Sequence, residues 1–185
     1  MTIRILQIKV TLAGIKPLVW RRFLVKEDIT FQQLHEIVQI VMGWTNTHLY
    51  EFEIDGRRIL DFESIDDDID EEIDFNSSDV QLDEFITEEN QRFDYMYDFG
   101  DGWAHQIVIE KILPDDGKLK HPVCLAGKRN CPPEDCGGPY GYEEFLEAIK
   151  NPDHPEHDTM TEWIGGSFDP EEFDLDMVNK RLTKI

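Results

Sequence analysis

Tyr95-Met96-Tyr97-Asp98-Phe99-Gly100-Asp101-Gly102-Trp103-Ala104-His105 runs directly into Gln106-Ile107-Val108-Ile109-Glu110. The first part gathers aromatics, two carboxylates, two glycines and a histidine; the second reads as a β-strand. Gly100 and Gly102 permit a sharp bend, and the aspartates can satisfy backbone amides within it. His105 shares a strand face with Trp103, Ile107 and Ile109, the setting of a satisfied core histidine. Asp98, Asp101 and His105 are also the residues here that could carry chemistry. Asp98-Phe99-Gly100 does not make the chain a kinase. It lacks a Gly-rich phosphate loop, a strand lysine in Val-Ala-Ile-Lys context and a His-Arg-Asp loop.

Upstream, Leu6, Ile8, Val10 and Leu12 alternate with Gln7 and Lys9, which predicts a half-buried strand over residues 3–12. Ala13-Gly14-Ile15-Lys16-Pro17 turns the chain into a return strand over 19–25, giving a β-hairpin. Thr30 and Gln33 form a capping box for a helix over 30–42, ended by Gly43. Its stripe of Phe31, Leu34, Ile37, Val38, Ile40 and Val41 should lie against a sheet. A third strand follows at 48–54, and Asp55-Gly56 turns it back into Arg57–Leu60. Residues 61–94 then hold many acids against one base, Arg92. Self-repulsion predicts a partly mobile insertion that docks through Ile65, Ile69, Ile73, Phe75, Val80, Leu82 and Phe85.

Downstream, the strand at 105–112 stops at Pro114-Asp115-Asp116-Gly117, and 121–139 reads as a loop. Tyr142, Phe145, Leu146 and Ile149 mark an amphipathic helix, and Pro155 opens a short one through Trp163-Ile164. A last helix carries Phe173, Met177 and Leu182, with Asp169 as N-cap and Pro170 at its first position. The fold class is therefore α+β: a single mixed or antiparallel sheet packed with one early and three C-terminal helices. The 105–112 strand should pair with the N-terminal hairpin or the 48–54 strand. The hairpin–helix–strand order resembles a β-grasp arrangement, and 185 residues fit one domain.

The net charge of −22 opposes a broad nucleic-acid footprint, for which only Arg21-Arg22, Arg57-Arg58 and the C-terminus offer bases. No apolar run reaches the ~20 residues of a membrane span, and Met1-Thr2-Ile3-Arg4 does not open a signal peptide. Three cysteines, an odd number, suit thiols in a reducing cytoplasm.

Asp66-x-Asp68-x-Asp70 begins like a calcium loop, but Glu71 replaces its glycine and Ser77 its bidentate glutamate. Thiolate and imidazole are the ligands zinc prefers, which makes Cys124, Cys131, Cys136, His154 and His157 candidate metal ligands, with His121 nearby. Their spacing lacks a Cys-x-x-Cys knuckle, and free buried thiols are the competing reading.

Tyr97-Asp98-Phe99-Gly100-Asp101-Gly102-Trp103-Ala104-His105 and Cys131-Pro132-Pro133-Glu134-Asp135-Cys136-Gly137-Gly138-Pro139-Tyr140-Gly141-Tyr142 together resemble the plasmid pRiA4b ORF-3-like family. Trp20-Arg21-Arg22, Leu34-His35, Gly43-Trp44, His48-Leu49-Tyr50-Glu51-Phe52 and Trp163-Ile164-Gly165-Gly166-Ser167-Phe168-Asp169-Pro170 extend the resemblance. It implies an α+β fold, and some members carry labels such as transposon resolvase. A recombinase needs an activated serine or tyrosine among arginines, and no such cluster is visible in this chain.

The leading expectation is a cytoplasmic binding domain with a protein or small-molecule partner, accessory to mobile elements. The alternative is a hydrolase or metal-dependent enzyme between the Asp98–His105 bend and the Pro132–Asp135 loop. Asp98, Asp101 or His105 should then lie near Glu134 or Asp135, because both segments carry polar groups that a core would leave unpaired. A convergent cleft with buried carboxylates and a histidine favours the enzyme; a fully packed bend favours the binding domain.

Overall fold

The computed structural model describes residues 3–62 and 74–185. Ile65, Ile69 and Ile73 and the Asp66–Asp70 run lie outside them. Among the described residues the strands are β1 (Arg4–Leu12), β2 (Trp20–Lys26), β3 (Tyr50–Ile54), β4 (Arg57–Leu60), β5 (Phe75–Asn76), β6 (Arg92–Tyr97), β7 (Trp103–Pro114) and β8 (Val123–Lys128). They form one sheet in the order β5-β4-β3-β6-β7-β1-β2-β8. All neighbours are antiparallel except β4 and β5. With helices α1 (Phe31–Met42), α2 (Gly138–Lys150), α3 (His157–Trp163) and α4 (Leu175–Leu182), the protein is α+β, as its sequence predicts.

The predicted pairing of the long strand with the hairpin is the β1–β7 seam, where Val10 faces Ile107 and Leu12 faces His105. Leu6, Ile8, Val10 and Leu12 are fully buried, while Gln7 and Lys9 are half-buried on the opposite face. Helix α1 covers the inner face with Phe31, Leu34, Val38 and Val41. Burying each such side chain contributes about 1.5–3 kcal/mol. Its capping box is present: Thr30 Oγ1 accepts from Gln33 N–H, and Gln33 Oε1 accepts from Thr30 N–H. Gly43 closes it in the left-handed region at φ 104°, donating to Gln39 O. Tyr142 and Phe145 of α2 and Leu182 of α4 are buried in the same core, and Met160 of α3 packs against it.

Three expectations are corrected. Residues 92–97 are not the end of the acidic run but a central strand, with Phe93, Tyr95 and Tyr97 inward. The 121–139 loop contains β8, paired with β2. The last helix starts at Leu175, where Asp174 rather than Asp169 accepts the capping bond from Met177 N–H. Asp169 instead accepts from Glu171 N–H in a turn. Within 74–94, Val80, Leu82, Phe85 and Ile86 are buried, and Leu82 N–H donates to Ile29 O.

Candidate functional site

The quoted stretch is the β6–β7 hairpin turn. Asp98 sits at φ 55°, a left-handed conformation that costs a non-glycine residue about 1 kcal/mol or more. Its backbone N–H donates to Leu49 O at 2.8 Å, which ties the turn to the start of β3. Oδ1 accepts from Gly100 N–H at 3.0 Å and Asp101 N–H at 3.2 Å. Oδ2 is left for His48, whose Nε2 is 3.6 Å away. The Asp98 side chain is nearly buried, at 9% exposure.

The 131–138 loop lies against this turn. Asp101 Oδ2 accepts from Gly137 N–H at 3.1 Å, and the Trp44 indole donates to Pro132 O at 3.0 Å. Glu134 accepts from Tyr97 O–H at 2.5 Å, from Thr45 N–H at 3.2 Å and from the Thr45 hydroxyl. Burial pushes the Glu134 carboxyl up, but these hydrogen bonds outweigh it and hold the group below its ordinary range. Asp135, exposed and at φ 59°, places Oδ1 3.0 Å from His48 Nε2.

His48 Nε2, Asp98 and Asp135 thus offer three ligand atoms within 4.8 Å of one another. The His48–Asp135 approach has hydrogen-bonding distance without hydrogen-bonding direction, and Nε2 has no hydrogen-bond partner. That geometry suits a shared cation. Ligand atoms ~2.1 Å from one metal stand about 3.0 Å apart when cis in an octahedron and about 3.4 Å apart in a tetrahedron. Among the described residues, no lysine or arginine pairs with Asp98, Asp101, Glu134 or Asp135.

The structure brings together Asp98, Asp101, Glu134 and Asp135 across the turn and loop, with His48, Thr45 and Tyr97 as partners the sequence reading missed. His48 stands in the His48-Leu49-Tyr50-Glu51-Phe52 motif, which was the signal available for it. His105 lies apart from the cluster, in the core between Trp44 and Tyr95. Burial lowers its pKa to about 4.

The cysteine–histidine set does not assemble. Among the described residues, the group of three metal-ligating side chains is His48, Asp98 and Asp135. Cys124, Cys131 and Cys136 are free thiols whose pKa values burial raises, that of Cys136 to about 12. His157 Nδ1 donates to Ala148 O, and His154 Nδ1 accepts from Glu156 N–H.

Glu134 fastens the loop, so Glu134→Gln should lower stability by about 1–2 kcal/mol, because an amide NH₂ then faces donors. A denaturant titration reads this directly; an unchanged midpoint would show that the Thr45 and Tyr97 bonds hold nothing.

Fold and site define an α+β protein whose β6–β7 turn and a Cys-Pro-rich loop close around a histidine and several carboxylates. The chain belongs to the plasmid pRiA4b ORF-3-like family, whose model matches residues 4–177. It is 40% identical over 189 residues to "Uncharacterized protein y4hQ" of Sinorhizobium fredii (strain NBRC 101917 / NGR234), spanning 100% of this chain and 94% of that protein. The crystal structure of the protein of unknown function MM3350 from Methanosarcina mazei Go1 has 38% identity and a TM-score of 0.82. That match covers 95% of this chain and 97% of the other.

Proposed function

We propose that the chain is a divalent-cation site on a single-domain scaffold, His48, Asp98 and Asp135 being the ligands. The observation that carries this is the nearly buried Asp98 beside Asp135 and the off-axis His48 nitrogen, with no lysine or arginine among the described residues paired to offset the charge. One imidazole and two carboxylates suit zinc or manganese. Three protein ligands leave coordination positions for water, the arrangement of metal-assisted hydrolysis.

A second reading, the binding domain, is supported by Phe99 and Tyr140, which are 49% and 74% exposed on the turn and at the start of α2. The nucleic-acid reading lacks support: Arg21 is buried, and Arg22 and Arg58 pair with Glu110 and Glu51. Among the described residues no helix is long and apolar enough to cross a membrane. Free thiols support the cytoplasm, and the plasmid in the family's name supports a mobile-element setting.

Calorimetric titration with Mn²⁺ and with Zn²⁺ at physiological salt tests the site. One equivalent should bind, and Asp135→Asn should weaken it about ten-fold or more. Many weak sites unaffected by Asp135→Asn would mean that the ions merely screen an acidic surface, and the reading would fall.

A further inference from the structure

The Trp163–Pro170 motif takes no part in the His48 site. It walls a different feature, a groove of about 850 Å³ between α2, α3 and residues 166–171. That volume is within the range of small-molecule sites. Leu146, Ile149 and Phe168 line it as apolar surface, and Arg129, His157 and Ser167 as polar surface.

Arg129 is the unusual member. It follows β8 at φ 67°, and its side chain is 6% exposed. Nε donates to Glu171 Oε1 at 2.8 Å and Nη1 to Pro17 O at 2.8 Å, which fixes the plane of the guanidinium. Among the described residues Nη2 has no hydrogen-bond partner, and it is not among the buried polar atoms closed off from solvent. It is therefore an oriented donor on the groove wall. Glu171 is 60% exposed, so water screens its charge far more than that of Arg129. Glu143 and Glu147 on the same rim are exposed and screened likewise. Arg129, paired on one edge with Glu171, is thus the buried cation of a groove whose walls mix apolar and charged side chains, Lys150 among the latter.

His157 adds a second polar point. Its Nδ1 must carry the proton it donates to Ala148 O at 2.9 Å, so Nε2 is the ring nitrogen left for a ligand.

We propose that this groove binds a small amphipathic carboxylate, its acid group on Arg129 Nη2 and its apolar body on Leu146, Ile149 and Phe168. A carboxylate matches a planar, preoriented guanidinium better than any neutral group does. Leu146, Ile149 and Phe168 offer an apolar contact that a small inorganic anion cannot use.

The test uses the full-length chain labelled with ¹⁵N, titrated with 3-phenylpropionate and, separately, with its primary amide. The carboxylate should shift backbone amides within 146–168, and the amide should bind about ten-fold more weakly or worse. Ile149→Trp should fill the groove and abolish the shifts while leaving the rest of the spectrum in place. Arg129→Lys should weaken binding, since a lysine cannot reproduce the fork. If that variant fails to fold, the acid–amide comparison and Ile149→Trp still decide. Equal affinity for acid and amide, shifts centred elsewhere, or no binding at millimolar concentration would each overturn the proposal.

Discussion

Lowering the pH from 6.5 to 5 should cost the protein about 3 kcal/mol of stability, about 1.5 kcal/mol from each of two buried histidines. His35 and His105 are 1% and 2% exposed. Burial lowers the pKa of each to about 4, against the bonds of His35 to Asn46 and of His105 to the backbone of Tyr95. Both imidazoles are neutral in the native state, whereas the unfolded chain takes up protons below its ordinary histidine pKa. The contribution is thus complete above pH 6.5, falls as the pH drops, and is gone below the folded-state value. Carboxylate protonation, which relieves repulsion in so acidic a chain, occurs mostly lower in pH. Denaturant unfolding should show uptake of about one proton at pH 6.5, rising to nearly two at pH 5. His105→Leu should halve that slope, since it removes one titrating ring from the core. A slope near zero, or one that His105→Leu leaves unchanged, would show that these rings do not carry the acid sensitivity.

Gly138→Ala should destabilise the protein by about 3–5 kcal/mol, although the same exchange within a helix ordinarily stabilises by nearly 1 kcal/mol. Gly138 opens α2 at φ 69°, and a Cβ there would stand 2.3 Å from Asp101 O. The obstruction is backbone against backbone, so no rotamer relieves it. Relief requires the loop and the β6–β7 turn to separate, which carries Asp135 away from His48. A denaturation midpoint and a Mn²⁺ titration on the same variant check both consequences. Wild-type stability would mean that turn and loop separate freely, and the site could not be held as described.

The parts of this fold legible in the sequence are those where local chemistry and burial agree. Strand β1 alternates cleanly, and α1 carries its capping box, its apolar stripe and Gly43 at the end. Strand β6 has equal alternation, Phe93, Tyr95 and Tyr97 against Arg92, Asp94 and Met96, but the acidic run before it drew the boundary too late. Strand β8 offers little pattern: Cys124 is its buried residue, and it lies between Pro122 and a proline-rich loop. Asp169-Pro170 looks like a helix start because local signals cannot tell a turn from a cap without the following packing. The meeting of turn and loop was foreseeable from their unpaired polar groups and glycines. His48 was legible only as a member of its His-Leu-Tyr-Glu-Phe motif, since a histidine just ahead of a strand carries no mark of the carboxylates that another hairpin brings to it. The cysteines misled because ligand preference says nothing of distance.

The position of β1 has a consequence for how the chain is made. Lying between β7 and β2, it forms a hairpin with β2 soon after emerging from the ribosome, yet its other edge stays bare. The partner strand begins roughly 90 residues later, which at ~5–20 residues per second leaves that edge open for roughly 5–20 s. During that interval a strand with five apolar side chains destined for burial, Ile5, Leu6, Ile8, Val10 and Leu12, offers a row of free N–H and C=O groups to any nascent neighbour. Slower translation or missing chaperone contact across the segment between β2 and β7 should therefore lower the yield of folded protein.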